Sequence, residues 1–313
     1  MTGHRTFFCN SRTLGGAAGG AAIALLGVIL NVQPARACAA CGCGDPTLTT
    51  VGLEKLFSGR LRISTSAQYR SEHEGNASNP DLQVGEWLIN NSTTYAPWRW
   101  MVLGITVPLV NREVTFSSGR RQAAFGLGDI STFARVVVWQ DSPTLADHII
   151  SLQAQMTFPS SPLVSLPDGA AAVSELQTGR GSWVPALGIN YSYFGTKMAV
   201  FASLNVRIPM GARFGDQAGF TTLGTVLGQI QPWDWLALQL GIDTRYALPS
   251  KSHGETLSDT GGFVAFASPG IAVSPVMDLL LSAMVRIPAI HRYYGEQGDG
   301  PMLLLSIAYD LPT

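Results

Sequence analysis

Apolar and polar residues alternate one by one along most of the chain after residue 60. In HIISLQAQMTF, Ile150, Leu152, Ala154, Met156 and Phe158 fall on one side, and Ser151, Gln153, Gln155 and Thr157 on the other. In TKMAVFASLNVRI, Met198, Val200, Ala202, Leu204, Val206 and Ile208 oppose Lys197, Ser203, Asn205 and Arg207. WLALQLGIDTRY sets Leu236, Leu238, Leu240 and Ile242 against Gln239, Asp243 and Arg245. LLLSAMVRI and MLLLSIAYDL repeat the pattern, with Arg286 and Asp310 on their polar sides. A period of two predicts strands. The runs reach roughly nine to fourteen residues, longer than the five or six usual in globular sheets and suited to tilted membrane strands.

The pattern predicts strands near 60–70, 86–96, 98–110, 127–140, 146–158, 183–194, 197–209, 219–231, 234–246, 262–273, 277–288 and 301–312. Long connections (71–85, 111–126, 159–182, 210–218, 247–261, 289–300) alternate with short ones (Pro97, 141–145, 195–196, 232–233, 274–276). The short ones carry turn chemistry in DSPTL, FGTK, QPWD and SPVM. Trp and Tyr residues, among them Trp87, Trp98, Trp139, Trp233 and Tyr309, stand mostly near strand ends. The expected fold is all-β: a transmembrane antiparallel up-and-down barrel of about twelve strands, residues 59–313, with a short N-terminal periplasmic segment. A soluble sandwich would rarely need strands this long.

Composition narrows the picture. Charged residues are 13% of the chain, against about 25% in ordinary soluble domains. No eighteen-residue apolar run follows Leu30, so no helical span is expected after it. A formal net charge of −1 points away from nucleic acid. Residues 1–37 read as an export signal. His4, Arg5 and Arg12 precede the apolar core AAGGAAIALLGVIL, and NVQPARA ends in the small-x-small triplet Ala35-Arg36-Ala37. An uncleaved anchor helix is the alternative. Cleavage after Ala37 makes Cys38 the first mature residue, in the outer membrane of a Gram-negative bacterium.

The stretch ARACAACGCGDPTLTTVG then places Cys38, Cys41 and Cys43 in a Cys-x-x-Cys-x-Cys array within segment 38–58. Three chemistries compete. An oxidising compartment favours a disulfide, most naturally Cys38–Cys41. Three convergent thiolates suit a soft ion, Cu(I) or Zn. Acylation of Cys38 is the third, although Ala35 and Arg36 fit a lipidation signal poorly. Haem attachment is disfavoured because no His follows the Cys-x-x-Cys. Asp45-Pro46 marks a helix start, so 38–58 is expected to be a short helix, a plug or a docking element.

Three further stretches, VLGITVPLVNR (102–112), GLGDIS (126–131) and GRGSWVPALGINYSYFG (179–195), carry a family likeness. Together they resemble the outer-membrane transporter family associated with the meta-cleavage pathway of phenol degradation. The resemblance covers most of 60–312. It implies an outer-membrane barrel that passes small molecules, aromatic ones among them, and it brings no catalytic residues.

Strand parity assigns Arg62, Gln68, Arg70, Arg135, Gln153, Gln155, Asn190, Asn205, Arg207, Gln239, Asp243, Arg245 and Arg286 to the lumen, with the acids Glu86, Asp278 and Asp310. An arginine excess would favour anions, and arginine matches carboxylates. Alternatively the arginines and acids pair and fill the lumen. Asp129 in GLGD is either a constriction or loop clamp, or a turn acid capping the Gly-rich corner. Loop 159–182 either folds inward or shields the mouth. His73, His253 and His291 fall in predicted loops, and no Ser–His pair shares a strand face, so an enzyme is not expected. The leading expectation is a passive channel for small solutes, surrounded by outer-membrane lipid. The alternative is a barrel whose cysteine segment docks a periplasmic protein that handles metal or electrons; an outer-membrane enzyme is third. We predict that mass spectrometry of the exported protein finds its first residue at Cys38. A mature chain that retains residues 1–37 would remove the signal reading.

Overall fold

The computed structural model describes residues 58–74, 82–143, 146–166, 169, 171–211, 215–295 and 297–311. The expectations for the signal segment, for Cys38, Cys41 and Cys43 and for the helix from Asp45 lie outside them. Twelve antiparallel staves form the barrel. They are β1 (Leu61–Glu74), β2 (Leu82–Trp98), β3 (Met101–Thr115), β4 (Arg121–Leu127 and Ser131–Gln140), β5 (His148–Thr157), β6 (Val184–Phe194), β7 (Met198–Arg207), β8 (Thr221–Trp233), β9 (Leu236–Ala247), β10 (Gly262–Val276), β11 (Leu279–Tyr293) and β12 (Gln297–Asp299 and Met302–Leu311). Each stave pairs with its chain neighbour, and β12 returns to β1. That seam runs from Leu61↔Leu311 to Tyr69↔Leu303 and continues at Glu72↔Asp299. The sheet therefore has no open edge along its main length.

The alternation seen in the sequence decides which side chain faces where. Outward residues such as Leu152, Leu187, Leu204, Leu240 and Ile242 are exposed. Their inward neighbours Ser151, Ala186, Ser203, Gln239 and Asp243 are buried. This inverts a soluble protein, as a hydrocarbon surround requires. Exposed aromatics close the apolar band at both ends. Trp98 stacks on Trp100 with ring centroids 5.2 Å apart at the short-turn end, and Trp87 lies against Tyr69 at 5.1 Å towards the long-loop end. Trp87 and Trp98 are eleven residues apart on β2. At about 3.3 Å per residue and a tilt near 40°, that is ~28 Å of height, close to the ~25 Å apolar band of outer-membrane barrels.

Several predicted boundaries move. β1, β2 and β3 reach into stretches expected to be loops, as does β11, which places His73 and His291 in strands. The extra pairs sit at the long-loop end, where hairpin hydrogen bonding continues without needing an apolar outer face; alternation fades there, so the sequence pattern stopped short. Asp278 lies in the turn between β10 and β11 rather than on a lumen-facing strand position, with φ of 66°. In β4 the pairing with β3 changes step, from Leu109↔Leu127 to Thr106↔Ser131. This extra residue switches the inward positions from even numbers (Ala124) to odd ones (Phe133, Arg135). It accounts for the poor alternation of this stave.

Inside, the short-turn half holds an apolar layer. Ile149, Phe194, Ala199, Phe201 and Leu227 form a packed layer with Val137, to which β11 adds Met284. Phe133 lies across the β3–β4 pair on Gly104, and a Cβ at position 104 would stand 2.3 Å from its ring. We therefore expect Gly104→Val to lower barrel stability by about 1–3 kcal/mol in urea unfolding from lipid vesicles, with part of the loss recovered by adding Phe133→Ala. A loss below about 0.5 kcal/mol would contradict this packing.

Candidate functional site in the barrel lumen

The long-loop half of the lumen is built from charge. The register sets Arg70, Glu86 and Arg112 side by side on β1, β2 and β3. Arg70 Nε donates to Glu86 Oε1 at 2.7 Å, and Arg112 Nε donates to Glu86 Oε2 at 2.7 Å. Arg70 also pairs with Glu72, which lies 4.0 Å from Arg245. Arg245 Nη2 donates to Asp299 Oδ2 at 2.6 Å, and the Tyr293 hydroxyl donates to the same oxygen. A chain of alternating signs thus runs along the wall: Arg112, Glu86, Arg70, Glu72, Arg245, Asp299.

A second polar cluster sits lower. Asp243, on β9, accepts from Thr225 Oγ1 at 2.6 Å, from Ser268 Oγ, and from Arg286 Nε at 3.1 Å. Gln239 donates to Gln229 at 3.0 Å. At the short-turn rim Arg62 grips Asp310 with two bonds of 2.8 and 2.7 Å, and Arg60 reaches both Asp278 and Asp310 at 3.2 Å.

The other sequence-predicted lumen residues share this inner face. Arg135 is 2% exposed and lies beside Gln153 in the β4–β5 register. Gln155 pairs with Ala186, and Ala186 with Arg207. Asn205 leans over Gly188, and Asn190 and Gln68 are buried. Arg62, Arg70, Arg245 and Arg286 each have a carboxylate partner, so much of the predicted arginine excess is neutralised inside the wall.

The described part of segment 159–182 folds inward. Leu176 and Ala172 pack on Leu82, Val84, Val114, Phe116 and Ala124, all but Phe116 on strands of the inner wall. The Gln177 side chain is fully used: it accepts from Val164 N and donates to the carbonyls of Val164 and Ala172. Arg112 Nη1 donates to the Gln177 carbonyl at 2.7 Å, tying the loop to the charged wall. Thr178 Oγ1 donates to Leu127 O at 2.9 Å. Asp129 holds the two ends of the excursion together, accepting from Ser161 N and Gly181 N at 3.0 Å each. Between those anchors Gly179 passes so close to Ser161 and Asp129 that a Cβ would lie 2.3 Å from Ser161 Oγ.

The sequence pattern missed Glu72, Arg112, Arg180, Tyr293 and Asp299. All lie in stretches read as loops. A usable signal existed for two of them: Glu72 and Arg112 keep the inward parity of Arg70 and Val110.

No family model matches the sequence, and no curated protein matches it. Among solved structures, an outer-membrane channel from Pseudomonas putida F1 superposes with a TM-score of 0.69 at 12% identity, over 86% of this chain and 100% of that one. The chain has the fold of an outer-membrane β-barrel. The CymD monoaromatic hydrocarbon channel (TM-score 0.45, 8% identity, 82% and 89% covered) and the NanC porin (0.47, 5%, 80% and 100%) superpose less well.

Asp129 is expected to fix the loop. Asp129→Ala leaves two backbone N–H groups without their acceptor, at a cost of about 1–3 kcal/mol. Limited proteolysis of the folded barrel should then cut within 161–182 about tenfold faster than in the parent. Equal cutting would show that Gln177 and Arg112 hold the loop unaided.

Proposed function

We propose that the protein is a passive channel in the outer membrane for small solutes, anionic or aromatic in character. The single observation that supports this best is the inversion of the barrel: an apolar outer band between aromatic girdles, and an inner wall with polar or charged residues on every stave. A twelve-strand barrel is intermediate between side-chain-filled eight-strand barrels and open sixteen-strand porins. Its interior suits small molecules. The inward loop at one end and the apolar layer at the other narrow it further. Long-range fields inside such a low-dielectric wall act on charged solutes, and the polar clusters give a route on which no site need bind tightly.

The loops bring Ser, His and Asp together without the order of a hydrolytic triad. In the loop sheet formed by Asp216–Gln217, Lys251–Ser252 and Glu255–Thr256, Ser252 Oγ donates to Asp216 Oδ1 at 2.6 Å and lies 3.2 Å from His253 Nδ1. The acid holds the serine rather than the imidazole. A hydrolytic triad needs the acid on the histidine, where it fixes the tautomer and steadies the imidazolium.

Full-length protein folded into planar bilayers should give discrete conductance steps that grow with KCl concentration. Silent bilayers containing protein proved folded by its heat-dependent gel shift would overturn the channel reading.

A further inference from the structure

We propose that Arg180 is the anchor of a binding site for a small monocarboxylate at the long-loop mouth of the lumen. The inference deepens the channel reading and rests on it. The first support is placement. Arg180 stands between Gly179, which has no room for a side chain, and Gly181, whose N–H is held by Asp129. Two and three residues earlier, Thr178 and Gln177 are tied to β4 and to Arg112. Of the three residues 179–181, only Arg180 has a side chain to project, and its backbone is fixed on both sides. A guanidinium on so short and well-held a span is positioned in advance, which reduces the ordering cost of capturing a ligand.

The second support is charge. In the wall chain, Arg70, Arg112 and Arg245 are matched by Glu72, Glu86 and Asp299. Three positive charges meet three negative ones, and that set cancels. Arg180 is additional. Among the described residues none is seen to hydrogen-bond or ion-pair with it, and its side chain is exposed. The space to which it is exposed is nevertheless enclosed by the wall. That enclosure, then repulsion from Arg70, Arg207 and Arg112, brings its pKa down to about 10 against the pull of Glu72. The group stays protonated at neutral pH, and its neighbours concentrate positive potential around it. An anion that settled there would answer the charge that Arg180 adds to this set.

The third support is shape. A guanidinium offers parallel N–H donors that match the two oxygens of a carboxylate. A single added guanidinium fits one carboxylate group. Exposure keeps binding weak enough for the solute to leave again, as conduction requires. A neutral solute of the same size gains nothing from Arg180.

The test uses the full chain folded in detergent, with propionate as the probe and propionamide as its neutral isostere. Calorimetry should show propionate binding and no propionamide binding. Arg180→Gln should weaken propionate about tenfold, the loss of one charge-assisted contact, and Arg180→Lys by less. Arg121→Gln removes a charge from the outer face of β4 and should leave the affinity unchanged. Parent protein that fails to bind propionate, binds propionamide equally, or keeps its affinity in Arg180→Gln overturns the site. Should Arg180→Gln not fold, the propionate–propionamide comparison on the parent decides alone. Planar-bilayer recordings separate the two levels of the argument. Propionate binding without any conductance defeats the channel and leaves the site; conductance without propionate binding does the reverse.

Discussion

A peptide group inside hydrocarbon has no water to turn to, and nearly everything in this molecule follows from that. Each unpaired N–H or carbonyl at membrane depth costs several kcal/mol. The strands must therefore pair on both sides, and the last must find the first. β12 does so along β1 from Leu61 to Tyr69. Where a stave breaks its pairing, local partners step in. At the irregular step in β4, Gly128 N donates to Pro108 O, Phe158 N to Ile130 O, and Thr178 Oγ1 to Leu127 O. The inward loop thus also repairs the wall beside it.

Closure creates the second problem, an interior that holds charge away from bulk water. A buried ion loses several kcal/mol of solvation, which only well-placed opposite charges and hydrogen bonds offset. The arrangement here is consistent with that demand. Glu86, 3% exposed, is gripped by two arginines, and Asp243 by one arginine and two hydroxyls. These carboxylates act as ties between neighbouring staves: Glu86 joins β1, β2 and β3, and Asp243 joins β8, β9, β10 and β11. The same side chains hold the wall together and give the lumen its polarity.

The fold was legible in the sequence because period-two alternation has one physical meaning in a chain poor in charge. Strand count, order and the inward parity of residues such as Arg62, Gln153, Asn205 and Arg286 followed from it. Two kinds of information were absent. Strand ends beyond the membrane carry no apolar face, so β1, β3 and β11 ran on unseen, and with them Glu72 and Arg112. The course of residues 159–182 depends on contacts between parts of the chain far apart in sequence, such as Asp129 with Gly181 and Arg112 with Gln177. No local pattern encodes those. Asp129 could be singled out from its Gly-rich setting, but which of its two roles it plays required the fold.

The inward loop hangs from a few points on the wall: Asp129, Arg112 and Leu127. Arg180, beside the second anchor, keeps its side chain exposed and outside the packed cluster. Exchange of that residue is therefore nearly free of structural consequence, while exchange of a wall residue disturbs its neighbours on both sides. Natural variation has an easy path here: descendants of one ancestral barrel can diversify what they admit through point changes at position 180, keeping the costly membrane scaffold untouched.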